Sequence, residues 1–405
     1  MKLLTASYVL PITSDPISDG AVALEGETLI SVGRQKDLKK KFPTAEVQEY
    51  PDAVLMPGLV NADTRLELLS FDGQGREGFV DRLLARMEFA QRISTVDRRA
   101  NIREGIPQLL RSGTTCAGDV GKYTGTIPLF VEAPLRWMLF PEVLTSAHPS
   151  TTENYQSVLA NLDEIIQKQS ARLAAGLAPF SAYTLSKNLL MVLAREAEAK
   201  KIPLKIRVSE SFAEMQFFYE STGEIVEKLF PKLGWQEAAP PAHRKTPVQF
   251  LEAIGFLANQ PILIGCLHLA EADYEILQKR KCKVVWTPRA DKRLNTGKAP
   301  VRKWLKAELP IGIGTDGADS LSLWDEMRAA HELCPAGEVL RMATLGGARV
   351  LGRDREIGSL EAGKKADLIA VKIPRSLKAA DLAKQLVERT TEVLAVFVDG
   401  AQIST

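Results

Sequence analysis

MPGLVNADTRLEL, residues Met56 to Leu68, follows a β-rich run at Val54–Met56 and brings two charged side chains, Asp63 and Arg65, just past it. Working outward, seven more runs read as strands: Thr114–Ala117, Arg136–Phe140, Arg172–Leu177, Leu204–Val208, Ile262–Leu267, Lys283–Thr287 and Pro310–Gly314. Between them the apolar residues take helical spacing at Val80–Arg92, Asn154–Lys168, Leu189–Lys200 and Asp273–Lys279. Eight strands alternating with helices predict an α/β chain closed as a (β/α)8 barrel, whose chemistry sits at the C-terminal strand ends. Asp63 and Arg65 stand at the first of those ends. An arginine keeps its proton in ordinary protein sites and offers no lone pair to a cation.

The two ends of the chain have another character. Gly20–Gly33 alternates apolar and polar residues about Glu25-Gly26, a hairpin pattern. Ala366–Val371 and Glu392–Val398 are β-rich, and Asp399-Gly400 marks a turn. Residues 1–56 with 360–405 are therefore expected to form one small β-sandwich, and 57–359 the barrel. The 52 basic and 50 acidic residues among 405 leave a formal charge of +2, which recruits neither nucleic acid nor an anionic membrane. No long apolar stretch or signal-peptide core occurs, and Cys116, Cys266, Cys282 and Cys334 lack metal-knuckle spacing. A cytoplasmic protein is the expectation. Only four histidines exist, His148, His243, His268 and His331, where a hydrolytic metal site usually takes three or four.

The strand ends resemble those of the amidohydrolase superfamily. Met56–Leu68 is similar to the signature Pro-Gly-x-Val-Asn-x-His-x-His, with Asp63 and Arg65 where that family has metal-binding histidines. APFSAYTLS (Ala178–Ser186) resembles Pro-His-Ala-Pro-Tyr-Thr of the adenosine-type deaminases, with Phe180 at the histidine. KIRVSES (Lys205–Ser211) resembles His-x-His-x-x-Glu, with Arg207 for the metal histidine and Glu210 at the proton-shuttling glutamate. LIGCLHL (Leu263–Leu269) puts Gly265 at the active-site histidine and His268 at a peripheral one. VVWTPRADKRLNTGKAPV (Val284–Val301) has Trp286 for histidine and Asp291 for asparagine, and IGIGTDGADS (Ile311–Ser320) keeps Asp316 at the aspartate that binds metal and activates water. MATLGGARVLG (Met342–Gly352) and IGSLEAGKKADLIAV (Ile357–Val371) match the return to the β domain. GFVDRLL (Gly78–Leu84) and FPEVL (Phe140–Leu144) point to the S-adenosylhomocysteine and aminofutalosine deaminase branch.

The resemblance implies a nucleoside-like ligand and a homo- or heterodimer; the replaced histidines imply no zinc or iron. Arg65 and Arg207 supply two positive charges facing Asp63, Glu210 and Asp316, a pairing that offsets the cost of burying those carboxylates. Glu210 and Asp316 read as catalytic candidates or, preferably, as ion-pair partners of the arginines. Phe180 and Trp286 either line an aromatic pocket or fill the lost site, Tyr183 and Arg289 are ligand contacts by analogy, and His268 reads as a satisfied core residue. The preferred expectation is a non-catalytic relative: a binder, a scaffold or the partner of an active paralogue. The alternative is a carbon–nitrogen hydrolase or deaminase working without metal through Glu210 and Asp316.

Overall fold

The computed structural model describes residues 1–404 apart from 74–77, 145–149, 236–238, 318–319 and 390–391, and of 150–154 the backbone alone. His148 lies outside the described residues. The chain begins with β1 (Lys2–Val9), β2 (Ile17–Glu25), β3 (Thr28–Arg34) and β4 (Glu46–Pro57). β2 and β3 form the expected hairpin, with Gly26 at φ +56° in its turn.

The barrel strands follow: β5 (Leu59–Thr64), β6 (Thr114–Gly121), β7 (Arg136–Val143), β8 (Leu173–Ala175), β9 (Ala178–Pro179), β10 (Lys205–Val208), β11 (Ile262–Gly265), β12 (Lys283–Trp286) and β13 (Ile311–Ile313). Three strands return, β14 (Leu368–Lys372), β15 (Val393–Val398) and β16 (Ala401–Ile403). They complete a seven-stranded sheet in the order β16-β15-β14-β4-β1-β2-β3, so both ends of the chain share one sheet.

One boundary differs from the sequence reading. Val54–Met56 belong to the end of β4, where they pair antiparallel with β14, and the first barrel strand is β5. The divide falls at Gly58, whose N–H donates to the Asp367 carbonyl and where a Cβ would meet the Thr115 side chain at 2.1 Å. Only glycine permits that approach, and it redirects the chain from sheet to barrel.

β5-β6-β7-β8 and β10-β11-β12-β13 are continuous parallel ladders. The bridges Leu177↔Leu204, Ser181↔Arg207 and Thr64↔Asp316 close them into a ring. Inside, alternate strand residues such as Val60, Ala62, Met138, Phe140, Ile262 and Ile264 face one another, and Ala348, Val350 and Ile357 close the floor. Outside, the strands pack on helices through a larger core that includes Leu162, Leu193, Leu277 and Trp304. The helix Phe79–Arg92 buries Val80, Leu83 and Met87. The four cysteines are buried and unpaired. Among the described residues no helix is long and apolar enough to cross a membrane.

Candidate active site

The charged side chains meet where the barrel strands end. β5 carries Asp63 and delivers Arg65 one residue past it. The N–H groups of Thr315 and Asp316 both donate to the Asp63 carbonyl, at 2.9 and 3.0 Å, which fixes Asp316 against β5. Ser209 turns the chain after β10 through φ +52°, so that Glu210 folds back onto Arg207.

Three guanidinium groups converge on Asp316. Arg65 Nε donates to its Oδ1 at 3.0 Å, and Arg207 Nη2 to the same atom at 2.5 Å. Arg86, from the helix Phe79–Arg92, reaches both carboxylate oxygens at 3.4 Å. Arg65 also pairs with Glu142 of β7 at 2.8 Å, and Arg207 with Glu210 at 2.6 Å. Phe180 lies beneath two of these cations, its ring centroid 5.4 Å from the Arg86 guanidinium and 5.9 Å from that of Arg207. Deeper in the barrel, Lys205 is fully buried and donates to Asp63 Oδ1 at 2.9 Å and the Ala62 carbonyl at 2.8 Å, with the Phe140 ring 4.4 Å away.

Burial alone would raise every carboxyl pKa here, and the partners decide the outcome. For Asp316, Arg207, Arg86 and Arg65 overcome burial and hold the carboxyl far below its usual range. Glu210 goes the other way, because burial, with Asp316 nearby, outweighs Arg207 and Arg86. Glu214, whose Oε2 accepts the Glu210 N–H at 2.9 Å, is pushed by burial and by Glu210 up to about 8. Arg86, desolvated and beside Arg207, is lowered to about 10.

Asp63, Arg65, Arg207, Glu210, Asp316 and Phe180 are thus brought together. Gly265 ends β11 at φ +101°, and a Cβ there would lie 2.5 Å from Glu210 Cγ. Trp286 is turned into the core, edge-on to Trp304, with its indole N–H donating to Asp291 at 3.0 Å. Tyr183 is buried, and Arg289 donates its backbone N–H to Glu326. His268 meets the Thr296 carbonyl at 2.6 Å. The sequence reading missed Lys205, Arg86 and Glu142. Lys205 stands two residues before Arg207, the strand spacing that puts both side chains on one face.

A small cavity of ≈ 30 Å³ opens onto this cluster, bounded by Arg86, Arg207, Glu210, Asp291, Arg293 and Asp316 among others. A larger one of ≈ 610 Å³ adjoins it and shares Phe79, Arg293, Leu294 and Thr296. Among the described residues no group of three or more His, Cys, Asp or Glu side chains is arranged to hold a metal ion.

A barrel with a cluster of charged side chains at its mouth and a sheet made from both chain ends defines the class. The chain belongs to the amidohydrolase family, whose model matches residues 54–403. More particularly, it is 27% identical to the 5-methylthioadenosine/S-adenosylhomocysteine deaminase of Desulfitobacterium hafniense, covering 98% of this chain and 92% of that one. The structure of Helicobacter pylori aminofutalosine deaminase in complex with methylthio-coformycin superposes with a TM-score of 0.91 over the whole of both chains, at 20% identity. An adenosine deaminase from Xanthomonas campestris with bound zinc superposes with a TM-score of 0.83, at 24% identity over 99% of this chain and 92% of that one. The resemblance read outward from Met56–Leu68 holds at the level of the family and of its deaminase-like branch.

Proposed function

We propose that this protein binds a nucleoside-like small molecule at the barrel mouth and does so without a resident zinc or iron ion. The observation that carries the reading is the set of cations at the strand ends: Arg65 and Arg207, at positions the sequence resemblance assigns to metal-binding histidines, pair with Asp316, and Lys205 engages Asp63 directly behind them. This donor set does not fit a dication. Ammonium and guanidinium groups donate hydrogen bonds and offer no lone pair. The carboxylates that would coordinate are already paired with them, and a metal at Asp316 alone would have to displace its three ion pairs, with Arg65, Arg86 and Arg207. The nucleoside-like character of the ligand comes from the relatives, which are named as deaminases of such compounds.

A second reading, metal-free cleavage of a carbon–nitrogen bond, is favoured by one group. Glu210 lines the cavity, its Oε2 is buried without a hydrogen-bond partner, and burial raises its pKa. A carboxyl in that state can exchange a proton with a bound base or water. Asp316, clamped by three arginines, is a positioning group in either case.

Two measurements on the purified protein separate the readings. Elemental analysis is expected to show no stoichiometric zinc or iron; one tightly held zinc per chain, lost in Asp316→Asn, overturns the metal-free site. Incubation with 5-methylthioadenosine, S-adenosylhomocysteine and aminodeoxyfutalosine is expected to give thermal stabilisation without ammonia release. Ammonia release abolished by Glu210→Gln establishes the hydrolytic reading instead.

A further inference from the structure

Behind the cluster of charges at the mouth, Asp119 of β6 grips the chain on both sides of Arg65. It is fully buried, and its Oδ2 accepts the Thr64 hydroxyl at 2.7 Å and the Leu66 N–H at 2.9 Å. The register of β5 on β6 slips between Asn61 and Thr64 and resumes at Thr64↔Asp119, so the grip falls on the last rung of the strand. Asp119 Oδ1 accepts the Tyr123 hydroxyl at 3.0 Å, and that hydroxyl also donates to the Asp119 carbonyl at 2.6 Å. Glu67, two residues past Arg65, is buried as well. It accepts from Arg98 at 2.9 Å, the Thr126 hydroxyl at 2.8 Å and the N–H groups of Lys122 and Tyr123 at 2.8 and 3.0 Å. Between these two anchors the Arg65 side chain reaches Glu142 of β7 at 2.8 Å and Asp316 at 3.0 Å. So long a side chain meets carboxylates from two elements at once at least entropic cost when its backbone is already fixed.

We propose that Asp119 is a positioning residue of the mouth: by holding Thr64 and Leu66 it places the Arg65 guanidinium between Glu142 and Asp316. Burial, with Glu67 nearby, pushes the Asp119 carboxyl up to about 7, against the hydrogen bonds from Leu66, Thr64 and Tyr123 that lower it. Glu67 and Tyr123 face it from the turns after β5 and β6, and Lys205 faces it from β10. Below about pH 7 the proton sits on Oδ1 and is donated to the Tyr123 oxygen, while Oδ2 keeps both of its bonds. Above that pH the charged carboxylate accepts them more strongly. The grip therefore exists in both states and tightens as the proton leaves. Its consequence for ligand binding rests on the proposed mouth site; the placement of Arg65 does not, and is measured without a ligand.

The test is hydrogen exchange at the arginine Nε–H groups of the full-length protein, labelled with 15N-arginine, in the wild type, Asp119→Asn, Asp119→Leu and Thr64→Val. The Arg65 signal is assigned by its absence in Arg65→Lys. The Nε–H of Arg136, buried at the base of β7 and bonded to Asp367 at 2.7 Å, is the internal reference. Relative to Arg136, exchange at Arg65 is expected to quicken at least about tenfold in Asp119→Leu and Thr64→Val, the weight of a lost buried hydrogen bond. Asp119→Asn mimics the protonated acid, with its carbonyl accepting from Thr64 and Leu66, and is expected to stay near the wild-type rate. The Arg65 signal of the wild type is expected to shift with a midpoint near pH 7, and that of Asp119→Asn not to shift. If Asp119→Leu fails to fold, Thr64→Val decides. An unchanged Arg65 rate in the folded variants, or a rise that Arg136 shares equally, overturns the positioning role. A shift near pH 7 that persists in Asp119→Asn belongs to another acid and overturns the tightening. Neither result touches the nucleoside-binding reading, which falls only if the ligands of that reading fail to bind.

Discussion

At the level of single residues the site is a balance of buried charges, and Arg207 is its pivot. It touches Asp316 and Glu210 directly and lies 3.7 Å from Asp63. Arg207→Ala is expected to cost about 3–5 kcal/mol at pH 7 in urea unfolding, the scale of a broken buried ion pair. Asp316 has a depressed pKa in the native protein, so its stabilising contribution is present above the unfolded value of about 3.9 and is lost as pH falls below it. With Arg207 gone the carboxyl binds its proton at higher pH, so the deficit of the variant should shrink on acidification. Arg207→Met with Glu210→Gln should recover part of the loss; a neutral Arg207→Ala would refute the charge-replacement account. Gly265 sets a second expectation. Its φ of +101° and the 2.5 Å approach of Glu210 Cγ mean that Gly265→Ala should lose about 1–3 kcal/mol from backbone strain alone. An alanine variant as stable as the wild type would show that the backbone at residue 265 can leave its positive φ as well as that Glu210 can move aside. Asp63, Arg65, Arg207, Glu210 and Asp316 were legible because motif spacing survives when the residue type changes. Arg86 and Glu142 were not, since a charged residue on a helix or strand looks solvated until the fold says which way it faces.

At the level of elements, the turn from β10 into the helix Phe212–Glu220 stores an unusual acid. Glu214 is fully buried and accepts the Glu210 N–H, and its pKa of about 8 means the folded chain keeps a proton that the unfolded chain releases near 4.5. A raised acid stabilises below the unfolded value, and that contribution is lost as pH rises, completely above about 8. Glu214→Gln retains a carbonyl acceptor for the Glu210 N–H and cannot ionise. Its stability relative to the wild type should therefore improve between pH 5.5 and pH 8.5, by an amount on the order of a few kcal/mol. Denaturant titration at the two pH values measures it; parallel curves would place the Glu214 carboxylate in contact with water or a cation. Strand positions were readable from apolar runs, which is how parallel strands buried on both faces appear. The shift from Val54–Met56 to Leu59–Thr64 was not, because one apolar run crosses Pro57-Gly58 and serves two sheets.

For the whole molecule, the question is whether the sheet made from both ends is an appendage or a part of the barrel's stability. We propose that residues 1–56 with 360–405 form one unit whose loss unseats the rest. β14 pairs with β4, and Leu368, Ala370 and Phe397 share a core with Leu4, Val22 and Leu55. That the ends would meet was legible in their composition. Part of their coupling to the barrel was not, since besides apolar contacts such as those of Met56, Ile369 and Val396 it uses a buried ion pair at the base of β7. The Arg136 guanidinium is fully buried and pairs with Asp367 at 2.7 and 3.0 Å and with Asp399, both from the returning segment. A chain ending at Leu360 removes three strands and both carboxylates, leaving a buried cation without a counter-charge inside the barrel wall. Such a cation costs several kcal/mol, comparable with the net stability of a domain. The truncated chain is expected to lose cooperative unfolding in calorimetry. Adding Arg136→Met to it removes the stranded charge but not the exposed sheet core, so it should restore solubility in part and cooperativity not at all. A cooperative transition in the truncated chain would mean that the barrel stands alone and that Arg136 finds water.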